Sequence, residues 1–198
     1  FAGEATTQPA TEIKLSDCLV IESVGQYGRA AMHSDAIEAQ IVAGRWSAPK
    51  TGDTVVLPHG STKAWQPAGA VGEDGSLTDH ALEGGYGYWP VEVPDQRVMV
   101  LEAQGHSLVY VNGVPRAGDP YATGWLRLPV VLNKGANDFL FPCGRGRLRA
   151  QLTAPASLAM LDSRDTTLPD LIAGETEPLW GAIVVVNADS SIAVHPAV

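Results

Sequence analysis

The sequence predicts an all-β protein built as a sandwich of two sheets. Two observations carry this. The 21 Gly and 14 Pro are scattered between short apolar runs, as in a chain with many turns and few helices. Several of those runs are rich in β-branched residues and alternate with a period of two, the mark of half-buried strands. With 198 residues, 45% of them hydrophobic and 18% charged, the chain has the composition of a folded globular protein. It is long enough for one sandwich and part of a second unit.

Taken in order, residues 1–12 are rich in Ala, Thr, Pro and Glu and read as a flexible leader left after removal of an export signal. Residues 15–24 (LSDCLVIESV) read as the first strand, bounded by Gly25 and Gly28. Residues 36–46 fit a short helix or a strand; the period of two through Ile37, Ala39 and Ile41, with Gly44 as a breaker, predicts the strand. Thr54–Leu57 is a strand after a turn at Pro49–Asp53. Residues 58–90 read as mostly loop, carrying Trp65, Tyr86, Tyr88 and Trp89 among glycines and acidic residues. The run 96–111 predicts a hairpin turning at Ala103–His106, and Asn112-Gly113 a second one through a tight turn with positive φ. Residues 124–132 and 138–141 are strands joined by a turn at Asn133–Asn137, and 145–152 alternates as a strand with one wet face. The sandwich closes near Pro155. A linker over 156–167 then precedes a β extension over 168–198, marked by the run Ala182–Asn187.

The segment Val109-Tyr110-Val111-Asn112-Gly113, followed by Gly118-Asp119-Pro120-Tyr121, Leu128-Pro129-Val130-Val131-Leu132 and Lys134-Gly135-Ala136-Asn137, resembles the galactose-binding-like jelly rolls of secreted bacterial glycosidases, peptidases and esterases. The likeness is strongest over the middle third of the chain and reaches back through Gly84–Tyr88 towards Leu15. It implies a jelly-roll sandwich over 13–155. The tail from Thr167 resembles the opening of an immunoglobulin-like domain. Relatives of this kind imply fold better than activity, since many serve as spacers or packing platforms.

The formal charge of -9 leaves no basic stripe to neutralise phosphates, which argues against a nucleic-acid partner. No apolar run approaches the ~18 to 20 residues that span a bilayer, so membrane insertion is not expected. Cys18 and Cys143 lie near the two ends of the β region and are read either as a disulfide or as two separate buried thiols. Gly105-His106-Ser107-Leu108-Val109 only approximates a nucleophile elbow, lacking its second glycine. The five histidines are scattered, without metal spacing. Glu73, Asp74, Asp79 and Glu83 cluster as an acidic loop, able at most to hold a structural calcium or to supply paired carboxylates. No other cofactor is implied. The remaining signal is aromatic: Trp65, Tyr86, Tyr88, Trp89, Tyr121 and Trp125, with Arg116 and Asp119 nearby. Such rings stack on sugars or anchor a neighbouring domain.

The expectation is therefore a non-catalytic accessory module of a larger exported protein of hydrolase type, secreted or periplasmic, whose partners are the adjacent domains. A carbohydrate-binding module using the loop aromatics is the alternative, and a hydrolase fragment using the acidic loop a second one.

Overall fold

The computed structural model describes residues 11–26, 32–174 and 176–188. The expected leader lies outside these residues as far as Ala10, and Glu12 already belongs to a strand. In chain order the strands are β1 (Glu12–Lys14), β2 (Leu19–Ile21), β3 (Gly25–Gln26), β4 (Ser34–Asp35), β5 (Thr54–Val56), β6 (Thr62–Ala64), β7 (Gln66–Pro67), β8 (Ser76–Thr78), β9 (Tyr86–Val93), β10 (Arg97–Gln104), β11 (Leu108–Val111), β12 (Val114–Ala117), β13 (Arg127–Leu132), β14 (Gly135–Pro142), β15 (Arg147–Thr153), β16 (Ala159–Thr167) and β17 (Ala182–Asn187). A helix, α1 (Ala36–Val42), follows β4, and His80–Leu82 forms one 3-10 turn.

Two antiparallel sheets make the sandwich. The first runs β1-β15-β10-β13, with β8 sharing the outer edge of β15 beside β1; the second runs β12-β11-β14-β9-β2-β7. Between them lies one core. Leu77, Met99, Leu101, Ala103, Val130, Leu148 and Leu152 come from the first sheet, and Val20, Trp89, Val91, Val109, Phe139 and Phe141 from the second. On β15 the predicted alternation is realised: Leu148, Ala150 and Leu152 point inward, and Arg147, Arg149 and Gln151 outward.

The second sheet is covered on its other face as well. Ile21, Tyr86, Tyr88 and Leu140 pack there against Ile37 of α1 and against Val55, Leu57 and Trp65 of the β5–β6 region. This double burial explains β9, whose first four residues, Tyr-Gly-Tyr-Trp, are all buried. The sequence reading of 58–90 as mostly loop is thus corrected at its end, where a central strand begins. The strand expected at 36–46 is corrected too. Asp35 caps a helix by accepting from the amides of Ile37 (2.8 Å) and Glu38 (3.0 Å), so a capped turn prevails over an ambiguous period.

The hairpin expected over 96–111 does not form. β10 pairs with β13 and β15 in the first sheet, whereas β11 pairs with β12 and β14 in the second. Between them the chain changes sheets at Gly105, whose φ is +88° and where a Cβ would lie 2.2 Å from the Arg147 carbonyl oxygen. Only glycine fits. The turn at 133–137 likewise carries the chain from β13 in one sheet to β14 in the other. Asn112-Gly113 does make its hairpin: Val111 pairs with Val114, and the two turn residues take φ of 49° and 79°, as type I′ geometry requires.

These two turns are tied together. The Asn137 side chain is buried and saturated: its Oδ1 accepts from Asn133 N (2.8 Å) and Asn112 Nδ2 (3.0 Å), and its Nδ2 donates to the carbonyls of Asn133 (2.9 Å) and Gly135 (3.1 Å). Asn112 Oδ1 in turn accepts from Asp138 N (2.9 Å). Truncation would leave buried donors and acceptors unpaired. Asn137→Ala is expected to cost about 2–4 kcal/mol in urea denaturation, because each orphaned buried polar group costs ~1–3 kcal/mol; a loss under about 0.5 kcal/mol, the scale of a surface change, overturns this.

Residues 156–167, read as a linker, hold most of a strand instead: β16 pairs with β17 as a hairpin. Its inner face, with Asp162 and Val186 buried, lies on the outer face of the first sheet. There Asp162 pairs with Arg127 of β13 at 3.5 Å, and Arg164 approaches Glu102 of β10 at 3.9 Å. Val100, which points away from the core, is buried nonetheless.

Candidate functional site

The eight aromatic-loop candidates separate into two groups. Trp65, Tyr86, Tyr88 and Trp89 are core residues, none more than 4% exposed. Trp65 packs edge-on against Trp46 and Tyr88 with ring centroids 6.4 and 6.3 Å apart, and Trp89 against Phe139 at 5.4 Å. The Tyr88 hydroxyl donates to Asp138, and burial is the main cause holding that phenol above its ordinary range. None of the four presents a ring face for stacking on a ligand. Their flanking glycines made the segment look like loop, whereas burial on both faces of the second sheet is what recruits such large side chains.

Tyr121 and Trp125 are different. They are 73% and 72% exposed and flank a loop built on Asp119. The buried Asp119 carboxylate accepts from Thr123 N (2.9 Å), Thr123 Oγ1 (3.0 Å) and Gly124 N (2.7 Å). Desolvation opposes its charge, but these three bonds together prevail and hold its pKa below the ordinary value. Asp119 is therefore the loop's anchor and its oxygens are engaged, so the sequence reading of it as a ligand contact is corrected. Arg116 lies on β12. The guanidinium that does join the loop is that of Arg145, 5.1 Å from the Tyr121 ring centroid.

Next to this loop the outer face of the first sheet forms a polar cavity of about 200 Å³, lined by Glu102, Gln104, Arg149, Gln151 and Arg164 with Gly124 and Leu126. Glu102 is fully engaged. Arg127 Nε donates to one oxygen at 2.8 Å and Gln151 Nε2 to the other at 2.8 Å. Sequence reasoning found the wet face of β15 but missed the cavity, because Arg164 comes from the segment read as a linker. The alternation of 145–152 was the available signal for Arg149.

The acidic loop does not converge. Asp74 bonds the Ser76 amide and hydroxyl and pairs with Arg147; Asp79 caps the 3-10 turn through Ala81 N; Glu83 pairs with His80 at 3.2 Å. Among the described residues no group of three or more His, Cys, Asp or Glu is placed to hold a metal ion. Nor is 105–109 an elbow: His106 is buried, and Ser107 Oγ donates to the Pro142 carbonyl. Cys18 and Cys143 are free buried thiols, not a disulfide. Burial pushes both up to about 12, so neither is a nucleophile at neutral pH.

Compared with protein families, with curated proteins and with solved structures, the chain matches none.

Proposed function

We propose that the chain is a non-catalytic accessory module, a galactose-binding-like jelly roll of a larger exported protein of hydrolase type, and that it works by holding a neighbouring domain. One observation carries this reading: the outer face of the β16–β17 hairpin is apolar and exposed. Leu161, Ile183 and Val185 point outward there, and the connecting segment adds Leu168, Leu171 and Trp180, the last 83% exposed. On β17 the inner residues, half-buried Val184 and buried Val186, are apolar as well, so the strand reads Ala-Ile-Val-Val-Val-Asn, the pattern of a strand covered on both sides. A contiguous apolar surface of this kind marks an interface. A tethered neighbour meets it at high effective concentration and needs little intrinsic affinity. The inert buried thiols are compatible with export to an oxidising compartment.

The test compares this chain with the complete gene product by hydrogen exchange. Amides of Ile183–Val186 are expected to exchange at least about tenfold more slowly in the longer protein, since covering the hairpin's outer face raises its local opening energy. Equal rates, or a gene product with no domain beyond this one, sink the proposal.

A second reading, carbohydrate binding, is favoured by the exposed rings of Tyr121 and Trp125 beside the polar cavity on the first sheet.

A further inference from the structure

We propose that the cavity between β10, β15 and the 124–126 segment binds a sugar ring bearing a carboxylate, a uronic acid residue. This inference rests on the carbohydrate reading and adds its chemical class. The argument begins with charge. Three guanidinium groups, of Arg127, Arg149 and Arg164, stand here against two carboxylates, of Glu102 and Asp162. Among the described side chains one positive charge is left over there, in a chain whose formal charge is -9.

The excess is not spread evenly. Arg127 lies between both carboxylates, 2.8 Å from Glu102 and 3.5 Å from Asp162. Arg164 reaches Glu102 only at 3.9 Å. Arg149 has no ion pair and no side-chain hydrogen bond among the described residues, and Gln104 likewise keeps its amide free. A free guanidinium fork beside a free amide is a donor set for a planar carboxylate and a neighbouring hydroxyl.

Size and shape narrow the class. A cavity of about 200 Å³ falls below the ~300 Å³ where pockets for drug-sized ligands begin, and suits a single ring. Its wall is preformed: Gly124 has φ of +73°, and a Cβ there would lie 2.7 Å from Gln104 Nε2. Trp125 stands between two cavity-lining residues, Gly124 and Leu126, and its ring is exposed, which leaves an aromatic surface next to the cavity for the apolar face of a sugar. The Asp119 hydrogen bonds hold this segment in place.

The test is calorimetry on the whole chain with galacturonate and glucuronate oligosaccharides, neutral hexose oligosaccharides of equal length, and acetate as probes. Uronate oligomers are expected to bind at least about tenfold more tightly than neutral ones, and Arg149→Gln to remove at least about tenfold of that affinity, the scale of a charge-assisted bidentate contact. Arg149→Lys should recover only part of it, because it restores charge but not the fork. Trp125→Ala should weaken uronate and leave acetate unchanged. Both side chains are outside the core, so unfolding does not confound the result. Neutral oligomers binding as well as uronates overturns the acidic class while leaving the carbohydrate reading standing. Absence of binding by every sugar sinks both, and uronate binding unchanged in Arg149→Gln removes this cavity as the site.

Discussion

Replacing Trp89 by alanine is expected to lower the unfolding free energy by about 3–5 kcal/mol, the range for emptying a large aromatic site in a packed core. Trp89 begins a row of rings across the core: its centroid is 5.4 Å from that of Phe139, Phe139 is 6.4 Å from Phe141, and Phe141 is 5.3 Å from His106. Neighbours on two strands cannot collapse into the vacated volume without breaking the β9–β14 ladder, which pairs Trp89 directly with Phe139. Denaturant unfolding of the variant measures the loss; a value under about 1.5 kcal/mol, typical of a tolerated swap, shows that the site is not packed as described. The result also bears on function, since a Trp89 variant reports on folding and not on ligand contact. Trp125 is the residue whose loss tests stacking.

At the end of the same row, His106 is expected to make stability fall as the solution is acidified. Its ring is completely buried and neither nitrogen has a hydrogen-bond partner among the described residues. Burial lowers its pKa to about 4 from an ordinary 6.5, only partly opposed by the nearby Asp119 charge. The unfolded chain therefore takes up this proton first. Stability is fully present above about pH 6.5, declines through the window down to about pH 4, and loses nothing more from this group below it. Between those values the loss amounts to about 3 kcal/mol, at 1.36 kcal/mol per pKa unit. His106→Phe keeps the edge contact with Phe141 and abolishes the titration. Urea midpoints taken from pH 7 to pH 4 should show the parent's slope reduced by about one proton in the variant, carboxylates cancelling in the difference. Identical slopes would mean that His106 titrates alike in both states.

Local chemistry was legible wherever a residue type answers a backbone need. Asn112-Gly113 specified its own turn, because few other pairs take two positive φ values cheaply. Asn137 closes the turn read at 133–137, and its side chain bonds that turn's backbone with all its donors and acceptors used. The alternation of β15 showed one wet face, and that face carries the cavity arginine. Partners were not legible. The runs flanking Gly105 look like a hairpin because two apolar strands and a glycine turn are the same pattern whether the strands pair with each other or with different sheets. Asp35, just before the run whose period of two suggested a strand, is a helix cap.

The chain's own sequence determined that short strands and tight turns would make an all-β fold, since periodicity and turn propensity are local properties of neighbouring residues. Only the tertiary structure decided which aromatics are core and which are exposed, that the two cysteines stay apart, and that Arg164 from the C-terminal hairpin meets Arg149 from the sandwich. Those outcomes depend on which strands become neighbours, a choice made by burial of surface summed over the whole fold and carried by no single segment.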